Sequence, residues 1–101
     1  MTFGQAVATA RKSRGMQQRE LAARILKADG TPISPQYLND IEHDKRGAPD
    51  GQMLSRIARA VRVAPEYLYF CSGRLPPSVA DKRADEKTVV KAFNAMRRAL
   101  R

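Results

Sequence analysis

The segment Ser34-Pro35-Gln36-Tyr37-Leu38-Asn39-Asp40-Ile41-Glu42, with Gln17-Gln18-Arg19-Glu20-Leu21-Ala22-Ala23 ahead of it, constrains this chain most. Ser34 suits a helix N-cap and Pro35 suits the first helical position. The short helix that follows places Leu38 and Ile41 on one side. Gln36, Tyr37, Asn39 and Asp40 fall mostly on the other. Their amide, phenol and carboxylate groups match the hydrogen-bonding chemistry of base edges. A plain solvated face on a helical bundle is the competing reading of that helix alone.

Charge weighs against the plain reading. The 101 residues carry a formal net charge of +9, with a pI near 10.5, which points to a polyanionic partner, nucleic acid before membrane. The basic residues run from Arg11 to Arg101, so charge alone does not fix the binding face. A hydrophobic content of 43% against 29% charged residues fits a folded chain rather than a disordered one. The length suits one domain with an added tail. A lone cysteine, Cys71, excludes an intrachain disulfide and fits a reducing compartment. No apolar run approaches the ~20 residues that span a bilayer, and no signal peptide is visible. A cytoplasmic location is expected.

The periodicity predicts an all-α fold. Thr2-Phe3-Gly4-Gln5 reads as a capping box for a first helix whose Phe3, Val7 and Ala10 share a face, running to about Arg14 before Gly15. A second helix is expected from about Gln18 to Ala28, with Leu21, Ala22, Ile25 and Leu26 inward. Asp29-Gly30-Thr31-Pro32 marks a turn, and a third helix runs from about Pro35 to His43. After the basic loop Lys45-Arg46-Gly47-Ala48-Pro49, Asp50 caps a fourth helix with Leu54, Ile57, Ala58 and Val61 at helical spacing. Pro65 opens a fifth, Glu66 to about Ser72, closed by Gly73. Leu75-Pro76-Pro77 is a natural boundary between residues 1–75 and 76–101. A last amphipathic helix is expected from about Asp81 to Leu100.

Five short helices with this pairing of the second and third resemble the lambda-repressor-like, Cro/CI-type (Xre) helix-turn-helix domain of bacterial and phage regulators. The resemblance covers about residues 3 to 73 and rests on Arg11, Gly15, Gln18, Leu21-Ala22, Ser34, Ile41-Glu42 and the basic loop after them. It implies that Gln18 touches a DNA phosphate and braces the recognition helix. It implies an internal ion pair between Arg11 and Glu42. Gln36, Tyr37, Asn39 and Asp40 fall where the family reads bases, and Lys45 and Arg46 where it grips the backbone. Two departures stand out. Gln17 occupies a position where the family usually has a better N-cap, with Glu20 able to compensate in part. The connector from Leu26 to Ile33 is longer than the usual short turn. It is expected to extend the second helix by a turn and to add the Asp29-Gly30 bend.

Phosphate contacts are expected from Lys45, Arg46 and Gln18, then Gln17, Arg19 and Ser34, with backbone N–H groups at the start of the second helix assisting. Arg19 is equally readable as a solvated charge. On the third helix, Gln36 suits adenine N6 and N7, as does Asn39 if so oriented, and Asp40 can accept from cytosine N4. Tyr37 suits a thymine methyl or a phosphate, or else the core. Asp40 has the alternative of pairing with Arg46.

Val89, Phe93, Met96 and Leu100 form a stripe on the last helix, readable as internal core, as a two-fold contact, or as both. Tyr67, Leu68 and Phe70 of the fifth helix are further dimer candidates. The basic residues of the tail also admit a membrane-surface reading, which the narrow stripe disfavours. One histidine and one cysteine give no metal ligand set, and no phosphate-binding glycine loop or catalytic triad stands out, so neither an enzyme nor a cofactor is expected. The expected function is a homodimeric repressor on an inverted-repeat operator. The alternatives are an antitoxin-type protein binding a toxin and its own operator, and a protein-binding scaffold.

Overall fold

The computed structural model describes residues 1–101 as seven helices with no strand: α1 (Phe3–Ser13), α2 (Gln18–Arg24), α3 (Pro35–Glu42), α4 (Gly51–Val61), α5 (Pro65–Cys71), α6 (Pro77–Ala80) and α7 (Glu86–Ala99). The all-α expectation holds. The first five helices enclose one core, in which α1 packs on α3, α4 and α5, and α2 packs on α3 and α4. No helix is long and apolar enough to cross a membrane.

Local signals account for the helix ends. The Thr2 hydroxyl accepts the Gln5 N–H at 3.1 Å, and the Gln5 side-chain Oε1 accepts the Thr2 N–H at 3.0 Å, completing the capping box. Ser34 accepts the Tyr37 N–H at 3.0 Å and Asp50 accepts the Met53 N–H at 2.9 Å. Behind the caps, Leu54, Ile57, Ala58 and Val61 of α4 are wholly buried with Val7, Leu21, Leu38 and Leu68. Each large apolar side chain removed from water contributes about 1.5–3 kcal/mol before entropy is counted. Gly4 lets α1 approach the end of α3. A Cβ there would collide with the carbonyl oxygens of Ile41 and Glu42.

The connector before α3 departs from expectation. Helix α2 stops at Arg24, four residues early, because Ile25 turns extended (φ −105°, ψ 109°). Leu26 then bridges Pro32 in an antiparallel sense. The Lys27 N–H donates to the Thr31 carbonyl at 2.7 Å, and the Ile33 N–H to the Ile25 carbonyl at 2.9 Å. The expected Asp29-Gly30 bend is present. Gly30 sits at φ +85°, and one Asp29 oxygen accepts both the N–H and the hydroxyl of Thr31, at 3.0 and 2.7 Å. The added length is thus a small hairpin, not a further helical turn. Its base is buried through Ile25 and Ile33, whereas Leu26, expected inward, is 45% exposed. Arg56 of α4 holds the Leu26 carbonyl at 3.1 Å.

The C-terminal region also differs. Leu68, a dimer candidate by sequence, is 0% exposed, because α5 is short and docks on α1 and α4 through Leu68 and Tyr69. Tyr67 and Phe70 remain at the surface. An unexpected single turn, α6, follows Pro76, and α7 starts at Glu86 rather than near Asp81. Asp85 sets that start by accepting the Thr88 N–H at 2.8 Å. Every residue from Pro77 onward is exposed. The stripe Val89, Phe93, Met96 and Leu100 is therefore not covered within the chain, its members being between 39% and 59% exposed. This extension accounts for a radius of gyration of 15.2 Å, where a compact chain of this length gives about 13 Å.

Candidate nucleic-acid interface

Helix α3 divides along its length. Leu38 and Ile41 are sealed in the core, Gln36 is exposed, and Tyr37, Asn39 and Asp40 are half-buried. Tyr37 resolves the two sequence readings by serving both, its ring packing on the core edge while remaining partly open. The polar side chains do not simply project into water. Two hydrogen-bonded groups hold them.

The first group ties α3 to α1 and α2. The Arg11 guanidinium forks onto Glu42, its Nε on Oε2 at 2.7 Å and an Nη on Oε1 at 2.9 Å, while its other Nη donates to the Met16 carbonyl at 2.8 Å. Both residues of the pair are buried. The hydrogen bond that Arg11 donates to Glu42 raises the Arg11 pKa above its ordinary value, with burial opposing. The Gln18 amide nitrogen donates to Glu42 Oε1 at 2.9 Å and to Asn39 Oδ1 at 3.1 Å. The bracing geometry is therefore present. With both amide hydrogens occupied, the Gln18 side chain has no donor left for a phosphate. Asn39 retains its own two N–H donors.

The second group covers the outer face. Gln36 Nε2 donates to Asp40 Oδ1 at 2.9 Å. The other Asp40 oxygen pairs with Arg46 Nε at 3.7 Å, the alternative partner weighed from sequence. The Arg46 guanidinium lies over the Tyr37 ring, 4.8 Å from its centroid. Lys45 is exposed beside it, anchored through its backbone N–H on the Asp40 carbonyl at 2.9 Å. Around the start of α2, Gln17 and Arg19 are exposed and linked at 3.4 Å. Glu20 accepts the Gln17 N–H at 3.2 Å, the compensation expected for a weak cap. The Ser34 hydroxyl uses its oxygen as the α3 cap and keeps its hydrogen free to donate. His43 closes α3, with Nδ1 at 2.8 Å from the Asn39 carbonyl.

Asp44 was not singled out by sequence. It adopts a left-handed conformation (φ 56°), and its carboxylate accepts the Thr2 hydroxyl at 2.6 Å and the Gly4 N–H at 3.0 Å. It thereby clamps the start of α1 to the end of α3. The partners lie about forty residues away in the chain, and only the folded arrangement of α1 on α3 reveals them. Cys71 is half-buried against the core. No group of three or more histidine, cysteine or acidic side chains is placed to hold a metal ion.

Five helices with α2 and α3 arranged in this way define a helix-turn-helix domain. The sequence pattern of the helix-turn-helix family matches residues 7–68. The chain belongs to this Cro/CI-type helix-turn-helix family. It is similar to an uncharacterised HTH-type transcriptional regulator of Mycobacterium tuberculosis, found in strains CDC 1551 and H37Rv. Identity to each is 33% over 82 residues, or 81% of this chain and 54% of the relative. The chain thus spans about half the length of these relatives. No solved structure matches it.

Proposed function

We propose that this chain is a sequence-specific double-stranded DNA-binding transcriptional regulator, acting as a repressor of the phage or autoregulatory type in the cytoplasm. One observation carries the reading. Helix α3 buries Leu38 and Ile41 while its opposite side carries an exposed Gln36 and partly exposed Tyr37 and Asn39, braced from behind by Gln18 and flanked by Lys45 and Arg46. Such a helix lies in the major groove, where amides distinguish base pairs. Lys45, Arg46, Ser34, Gln17 and Arg19 contact phosphates on either side. Gln18 serves as the brace.

One domain of this size covers few base pairs. Two copies, related by a two-fold axis, place their α3 helices in successive major grooves about 34 Å apart on an inverted repeat. The uncovered stripe on α7 supplies the contact between copies, with Tyr67 and Phe70 of α5 as further candidates. The same exposed stripe is what favours the second reading, in which α7 binds a protein partner such as a toxin. The relatives' description as HTH-type transcriptional regulators supports the first.

A mobility-shift assay with fragments of the neighbouring promoter, at two salt concentrations, tests the proposal. A discrete complex with one fragment is expected, weakening steeply as salt displaces the phosphate contacts. Equal and feeble retention of all fragments contradicts it. Sedimentation at micromolar concentration tests the dimer, and a monomer both free and on DNA opposes it.

A further inference from the structure

Asp40 stands where the family reads bases, and a carboxylate can accept from cytosine N4. Its geometry points elsewhere. Oδ1 holds the Gln36 amide at 2.9 Å and Oδ2 faces Arg46 Nε at 3.7 Å. Arg46 in turn rests on the Tyr37 ring. Oδ1 is hydrogen-bonded, Oδ2 has a cation within ion-pair range, and the carboxylate side chain is only 21% exposed. Without Arg46, a carboxylate at this place would be repelled by the phosphate walls of the groove.

We propose that Asp40 is a positioning residue for adenine recognition, holding the Gln36 amide in the orientation that adenine requires. The inference rests on the DNA-reading function proposed above. A primary amide carries two N–H donors and a carbonyl acceptor. With one N–H fixed on Asp40, Gln36 presents one donor beside one acceptor. That pair complements adenine, whose major-groove edge offers N7 as acceptor and N6–H as donor. Guanine presents two acceptors and cytosine a single donor, so neither matches both groups. A free glutamine rotates its amide and trades donor for acceptor. Fixing the nitrogen on Asp40 forbids that exchange. Arg46 completes the device by neutralising Asp40, and its side chain, 55% exposed, keeps guanidinium donors available for phosphate.

The test is selection of binding sites from a randomised duplex pool by the full chain and by Gln36→Ala, Asp40→Ala and Asp40→Asn. The unaltered chain is expected to select adenine at one position per half-site, and Gln36→Ala to erase that preference. Asp40→Ala should weaken discrimination at the same position, within the range of about 5-fold to 150-fold that a bidentate pair supplies. Asp40→Asn should largely retain it, because the asparagine carbonyl still accepts the Gln36 N–H. Retention by asparagine separates positioning from a purely electrostatic role, which both variants would abolish alike. Loss of a cytosine preference at a different base pair in Asp40→Ala overturns the inference in favour of direct readout. Full adenine discrimination in Asp40→Ala overturns it too. An unaltered chain that selects no sequence overturns the DNA-reading function itself, and this inference with it.

Discussion

Two non-glycine residues share a left-handed backbone and have opposite uses for it. Arg62 ends α4 at φ 59°, and its contribution there is its carbonyl, which accepts from the Arg14 guanidinium at 3.2 Å. Glycine adopts that conformation without steric cost and keeps the carbonyl. Arg62→Gly is therefore expected to stabilise the domain by about 1 kcal/mol, a rise of several degrees in thermal melting. Asp44 has φ 56°, yet its side chain clamps Thr2 and Gly4. Asp44→Gly should lower the melting temperature, because it removes two hydrogen bonds to a carboxylate, about 1.5–3 kcal/mol each, against about 1 kcal/mol of relieved backbone strain. Equal shifts of one sign in the two variants would contradict this assignment. Glu42→Ala is the more damaging change. It leaves the buried Arg11 without its fork and Gln18 without half its anchor, at a cost of about 3–5 kcal/mol. The account expects a large loss of thermal stability with base preference retained; unchanged melting with altered operator choice would contradict it. The Arg11–Glu42 pair was legible through the family resemblance. Asp44 was not, because a clamp between elements forty residues apart leaves no periodic trace.

Helices α1, α3, α4 and α5 were legible as elements, since each joins a cap or an initial proline to apolar residues at helical spacing. The end of α2 was not. Leu21, Ala22, Ile25 and Leu26 fit a helix as well as they fit what forms, a helix that stops and a hairpin that begins. Pairing of Leu26 with Pro32, and of Ile25 with Ile33, decides between them, and such pairing depends on tertiary closure rather than local pattern. Helix α7 began later than its periodicity suggested because Asp85, not Asp81, caps it. That cap is pH-sensitive. The hydroxyl and N–H of Thr88 hold the Asp85 carboxyl below the ordinary carboxylate range. A lowered folded-state pKa means the stabilisation is present above the unfolded value, about 3.9, and fades as pH falls through the folded one. Acidification should fray the first turn of α7 before the core, which amide exchange at Thr88 and Val89 would report. Protection there that survives until the core itself unfolds in acid would contradict the capping role.

At the scale of the whole molecule, a closed core ends near Ser72 and an exposed basic extension follows. No residue from 77 to 101 is buried, so removing them should leave the melting temperature of the remaining domain almost unchanged. If they carry the contact between copies, the same truncation should shift the chain towards monomer and weaken binding to an inverted repeat. A core that melts many degrees lower would show instead that the extension is structural. The charge of +9 made a polyanionic partner legible, but its spread from Arg11 to Arg101 left the face to be assigned by α3. Titration of isotope-labelled protein with its preferred duplex, following backbone and side-chain amide signals by NMR, examines that assignment most directly. The account predicts that the largest changes fall on Ser34 to Asp40, on the Gln36 and Asn39 side-chain amides, and on Lys45 and Arg46. Changes confined to α7, with α3 undisturbed, would contradict it.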